Sequence, residues 1–132
     1  MANPHYERVL TELSRVLGFT DTHALASGGR IKAGDHIITF IHDEEIDEHH
    51  LSVYVDLGKP TSNEKRAFEL LLKINFELDA SGRGTLSLHP ETGHAFYSFK
   101  YPLNDVASGQ SLLDNLARAV ADVAVEGAAA AA

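Results

Sequence analysis

Residues 86–99 read LSLHPETGHAFYSF. Two alternating runs flank Pro90-Glu91-Thr92-Gly93, with His89 just before. Pro starts a turn and Gly supplies the positive φ that closes it, so the stretch predicts a β-hairpin, Thr85–His89 and His94–Tyr101. It carries no nucleophile, metal cluster or phosphate loop. A sheet is strongly specified here with no chemistry on it, which turns attention to what the sheet itself can hold.

Upstream, LSVYVDL within residues 50–57 alternates cleanly: Leu51, Val53, Val55 and Leu57 share one face, and Ser52, Tyr54 and Asp56 the other. HIITFIH (36–42) reads as its antiparallel neighbour, with Ile38 and Phe40 on one face and Ile37, Thr39 and Ile41 on the other. The acidic run between them reads as a hairpin loop. Asn3 and Pro4 predict the start of a helix over 4–17, with Tyr6, Val9, Leu10, Leu13, Val16 and Leu17 as its stripe and Gly18 as its stop. Thr61 and Glu64 have capping-box spacing for a second helix over about 62–77. Its Ala67, Phe68, Leu71, Leu72 and Phe76 form one face, and Leu70, Ile74 and Leu78 widen it. A helix apolar nearly all round is buried nearly all round, and one small sheet covers one side; a second copy of the chain would cover the other. A last helix is predicted over about 109–125, with Leu112, Leu113, Leu116, Val120, Val123 and Ala124 facing the core. The order is α-β-β-α-β-β-α, with room for a short early strand near Leu25 or Ile31. This is an α+β fold, an antiparallel β-sheet with three helices, expected as a homodimer. Residues 1–126 are expected to form one domain, and 127–132 an Ala-rich tail that is disordered or artificial.

The 132 residues carry a net charge of −8 and are 44% hydrophobic. The core is sufficient for one domain, and an acidic surface argues against nucleic acid or anionic membrane as partners. There is no cysteine, which removes disulfides, thiol catalysis and thiolate metal sites. No basic start leads into an apolar run at the N-terminus, and no window reaches the ~18 apolar residues of a membrane span, so a cytoplasmic location is expected.

Enzymatic signals are weak. SGGRIKAGD (27–35) lacks the order of a P-loop, and Ser27, Ser81 and Ser108 lack the leading Gly of GxSxG. HDEEIDEHH (42–50) gathers His42, His49 and His50 among five carboxylates. On a strand, however, His49 and His50 would point to opposite faces, and the carboxylates lack the spacing of a calcium loop. A solvated hairpin loop is the simpler reading. His89 and His94 flank the other hairpin as cross-strand neighbours. No catalytic residue, metal site or cofactor is expected. Tyr54, Phe96, Tyr97, Phe99 and Tyr101 offer instead, as a set, a platform for an extended peptide, while core is the better expectation for any single one of them.

Along residues 5–123 the chain resembles the class I chaperones of bacterial type III secretion, the CesT/Tir-chaperone family. YERVLTELSRVLGF is similar to that family's opening helix, and LSVYVDLGKP to its central strand. FELLLKINFEL is similar to its LLxxN helix, with Asn75 in the Asn position, and GTLSLHPETGHAFYSFKYPL to its strand, P-E-x-G turn and strand. HDEEIDEHH is uncommon against that pattern. The resemblance implies a homodimer built on the second helix, binding the N-terminal region of a secreted effector in extended, export-competent form without ATP. The expected dimer residues are Phe68, Leu71, Leu72, Ile74 and Phe76. The expected client residues are Val9, Leu13, Val16, Ile38, Phe40, Val53 and Val55, some of which must be core. Two alternatives compete: a dimeric YbjN-like regulatory module that binds folded partners, and a small metal-dependent enzyme using residues 42–50. A plain ligand crevice has no positive signal.

Overall fold

The computed structural model describes residues 3–33, 35–59 and 64–131, with side chains through Asp122. Helix α1 (Pro4–Val16) begins where expected: the Asn3 side chain accepts from the His5 N–H, with Pro4 in the first turn. It ends in a paired backbone cap, Gly18 N–H to Arg15 C=O and Phe19 N–H to Ser14 C=O. The early strand exists as β1 (Arg30–Ala33), and β2 (His36–Ile41), β3 (His50–Gly58), β4 (Thr85–Leu88) and β5 (Ala95–Pro102) follow. Leu25 is instead a buried residue in the turns before β1. The five strands form one antiparallel sheet in the order β1-β2-β3-β5-β4.

The acidic stretch between β2 and β3 is not all loop. Asp43 accepts from the Glu45 N–H and nucleates one helical turn, α2 (Glu44–Asp47). The described helices therefore number four rather than three. Helix α3 runs Glu64–Ser81, four residues past its expected end, and α4 runs Gly109–Ala131, through most of the Ala-rich stretch. The predicted Thr61 cap lies outside the described residues, as do the side chains of Val123 and Ala124.

The opening hairpin closes by a His89 N–H to His94 C=O bond of 2.9 Å, with Gly93 at φ +74°. His89 also shapes the turn: its Nδ1 accepts from the N–H groups of both Glu91 and Thr92, each at 3.2 Å. Across the sheet, Asp56 Oδ1 accepts from the Gly58 N–H at 2.8 Å and lies 3.0 Å from His94 Nδ1. One carboxylate thereby holds the register shift between Asp56 and Gly58 and ties it to the hairpin.

Helices α1 and α4 cover one sheet face. Val9, Leu10 and Leu13 meet Leu112, Leu116 and Ala119 over a floor of sheet residues that includes Leu51 and Tyr101. At the α1–α4 crossing, Gly109 sits so close to α1 that a Cβ there would overlap the backbone of Glu12 and Leu13. The same crossing is hydrogen-bonded: Gly109 N–H donates to Glu12 Oε1 at 3.1 Å, and Arg8 donates to Ala107 C=O at 2.8 Å.

Helix α3 lies apart, against β4 and α4. Its anchor is polar: Leu86 N–H donates to Asn75 Oδ1 at 2.9 Å. This contact holds the edge strand to the helix with a group no aliphatic side chain replaces. Asn75→Leu is expected to lose about 1–2 kcal/mol, since the Leu86 N–H is left without its acceptor, while Asn75→Asp retains most of it. Urea unfolding followed by circular dichroism measures both.

Candidate interaction surfaces

Among the described residues, three faces carry apolar or aromatic side chains that no other described residue fully covers. The first is the outward side of α3. Leu71, Ile74 and Leu78 turn inward; Leu78 is buried and the other two pack partly against the core. Phe68 is half-buried, and Leu72 and Phe76, four residues apart, are 71% and 78% exposed. Residues 68, 72 and 76 thus form one stripe along a single helix face. Two large apolar side chains so exposed on neighbouring turns form a continuous apolar stripe rather than scattered surface hydrophobes.

The second is a groove of about 560 Å³ beside β1. Its walls come from three distant parts of the chain: Leu17 and Phe19 at the end of α1, all four residues of β1 (Arg30, Ile31, Lys32 and Ala33), and Leu113, Ala117 and Val120 on α4, with buried Ile38 and Leu116 beneath. Strand β1 is an outer strand of the sheet, so alternate backbone N–H and C=O groups point away from β2 toward any segment lying alongside. Apolar pockets next to such an edge are what an added strand requires: main-chain bonds from the edge and side-chain sockets on alternate positions.

The third is the sheet face opposite α1 and α4. Tyr54 and Phe96 meet there edge-to-face at 6.3 Å, with His89 beside Phe96 at 6.4 Å. The expected aromatic platform divides by strand parity. Tyr97 and Tyr101 are buried on the helix side, where the Tyr101 hydroxyl exchanges hydrogen bonds with the backbone of Ser108, and Phe99 packs against the same core. Only Tyr54 and Phe96 of the five face outward, because residues an odd number of positions from the core set point away.

Six of the seven expected client residues, Val9, Leu13, Ile38, Phe40, Val53 and Val55, are buried in the core that α1, α4 and the sheet form together, and of these Ile38 also lines the groove. Their stripes are the core; Val16, 47% exposed, is the one at the surface. The residues that build the groove, Phe19, Ile31, Leu113, Ala117 and Val120, were not singled out for this role. They are scattered over a hundred positions and meet only in the folded chain.

Residues 42–50 separate rather than converge. His42 stacks on Tyr6 at 4.8 Å and its Nε2 lies 3.0 Å from Glu48 C=O. His49 pairs with Glu48, and His50 with Asp47 at 3.0 Å. The hydrogen bond from His50 holds the Asp47 carboxyl below its ordinary range, assisted by the His49 N–H and Lys100, against a smaller opposing effect of desolvation. Nearby, burial and then the Glu7 charge raise the Tyr6 hydroxyl, which donates to Ala26 C=O. Among the described residues no group of three or more His, Asp or Glu is placed to hold a metal ion.

The model of the Tir chaperone protein (CesT) family matches residues 8–125. The chain belongs to the Tir chaperone family. That match runs from the first helix through the hairpin and most of α4, and so takes in both the α3 stripe and the groove beside β1. The chaperone is thereby assigned to type III secretion, where members serve secreted effectors. No curated protein matches the sequence significantly. None of the described helices is long and apolar enough to cross a membrane.

Proposed function

We propose that this chaperone works in the cytoplasm as a homodimer joined through the outward stripe of α3, and holds the N-terminal region of a secreted effector in extended form along the groove beside β1. The observation that carries this reading is the groove itself, an apolar trough running beside a sheet edge. An extended segment gains main-chain hydrogen bonds at the edge and buries every second side chain in the trough. Such a client pays ordering entropy on binding, so a long contact path, doubled in a dimer, is what makes the affinity useful. The chemistry is binding without turnover: the client is kept unfolded because its strand is already paired, and release needs only competition for that strand. Nothing in this cycle calls for ATP.

Capture from the native host through a C-terminal tag, followed by proteolysis of the complex, tests the reading. The expected result is a larger secreted protein whose protected fragment lies near its N-terminus. Ala117 lines the groove from an exposed position on α4, so Ala117→Trp should fill the trough and abolish that protection while leaving the fold intact. A bound partner that is folded and protected throughout, with no N-terminal fragment, would replace this reading with that of a regulatory interaction module.

A further inference from the structure

Two cations of this acidic chain share one edge strand. Arg8, Arg83 and Lys100 are each paired with a carboxylate, Glu12, Asp122 and Asp47. Arg30 and Lys32, both on β1 and both exposed, have no carboxylate within ion-pair distance among the described residues. They alternate with Ile31 and Ala33, which pack against the core: Ile31 pairs with buried Ile38, whereas Arg30 and Lys32, which also line the groove, pair with Thr39 and Ile37 on the other face. The edge strand therefore presents two different faces to a neighbour, one apolar and one doubly positive, on a molecule of net charge −8.

We propose that Arg30 and Lys32 are specificity-determining residues that select, as client, an extended segment with apolar side chains at one set of alternate positions and acidic side chains at the other. The inference rests on the groove reading above and adds to it the chemical class of the segment. A strand laid along β1 follows the same two-residue period. Its groove-facing residues meet Ile31, Ala33 and the α4 wall. Its other residues stand directly beside Arg30 and Lys32, at the distance where opposite charges attract and like charges repel. The net negative charge of the chain acts in the opposite sense: it disfavours an acidic segment where no local cation meets it, so the pair on this edge favours one site and one register for docking. Edge-strand cations also keep two sheet edges from pairing with each other, a role that does not depend on any client. The experiment separates the two.

Three labelled twelve-residue peptides would be titrated onto the full chain by fluorescence anisotropy. All carry the same alternating Leu/Val positions; the intervening positions are Asp, Ser or Lys. The expected order of affinity is Asp over Ser over Lys, with about tenfold between the extremes from two cross-strand charge pairs. The gap should shrink as salt rises from about 50 mM to about 500 mM, because exposed pairs are screened. Arg30→Glu/Lys32→Glu should reverse the order, and Ala117→Trp should abolish binding of all three. The salt series on the unaltered protein stands even if the double variant folds poorly. Equal binding of the three peptides, or an order unchanged by the charge reversal in a folded variant, overturns charge selection and leaves the groove reading in place. Binding of none of them overturns both.

Discussion

Gly109→Ala is expected to lower the melting temperature by about 10 °C, against the usual direction for this substitution. Replacing Gly by Ala inside a helix ordinarily stabilises by up to about 1 kcal/mol. Here the helical gain is small, because Gly109 is the first residue of α4. The added methyl group meets the backbone of Glu12 and Leu13 on α1 and the Cβ of Glu12 at 2.7 Å. The obstructing atoms are mostly main chain, so no rotamer change relieves the overlap; α1 and α4 must separate. That separation lengthens the Gly109 N–H to Glu12 Oε1 bond, now 3.1 Å, and thins the contacts of Leu13, which is fully buried. Overpacking of this kind costs about 1–3 kcal/mol, with loss of the cap in addition. For a domain of this size about 3 kcal/mol corresponds to roughly 10 °C. Calorimetry on the purified variant measures it. A melting temperature equal to or above that of the parent would show that α1 and α4 do not pack this closely in solution.

This crossing illustrates what was and was not legible in the sequence. Local signals were strong where a few neighbouring residues decide the outcome. Asn3-Pro4 and Gly18 set the limits of α1, and Pro90 to Gly93 set the hairpin, because caps and turns are satisfied by atoms within four residues of each other. Parity was equally clear: Leu51, Val53 and Val55 do share one face. What alternation does not state is which face the helices cover. Val53 and Val55 therefore fitted a client surface by pattern and are buried in the core of the molecule. Asp43 capping α2 was hidden for a related reason, since a one-turn helix has no periodicity to detect. Gly109 looked like an ordinary helix start; its closeness to Glu12 is a fact about two segments 97 positions apart. The groove beside β1 has the same character, being assembled from the ends of α1 and α4 around a four-residue strand.

Helix α3 was the most informative case, because its all-round apolarity concealed two distinct faces, one packed and one exposed. Expecting Phe68, Leu71, Leu72, Ile74 and Phe76 to act together treated the helix as one surface. Successive residues are 100° apart, so Leu71 and Ile74 reach the core while Leu72 and Phe76 point out. A charge at Leu71 would consequently test packing within one subunit as much as association between two.

Leu72→Asp/Phe76→Asp is accordingly the variant expected to yield a folded monomer. Both side chains are largely solvent-exposed in the single chain, so their replacement removes little of its own packing. If the proposed dimer exists, each is buried twice, once per subunit. Four large side chains contribute about 6–12 kcal/mol at about 1.5–3 kcal/mol each. The substitution removes that contribution and places four carboxylates in a desolvated contact, where unpaired charges are strongly destabilising. Every 1.4 kcal/mol is tenfold in affinity, so even the lower limit weakens association by about ten-thousandfold. At micromolar concentration, sedimentation velocity should then report the 14.3 kDa chain rather than twice that mass, with an unchanged far-ultraviolet spectrum. Asn75, on the inward side of the same helix, supplies the contrast: its replacement should lower stability without changing the mass. A Leu72/Phe76 variant that remains a stable dimer would move the interface off α3. The exposed pair would then need another occupant, and the doubled client path would lose its basis.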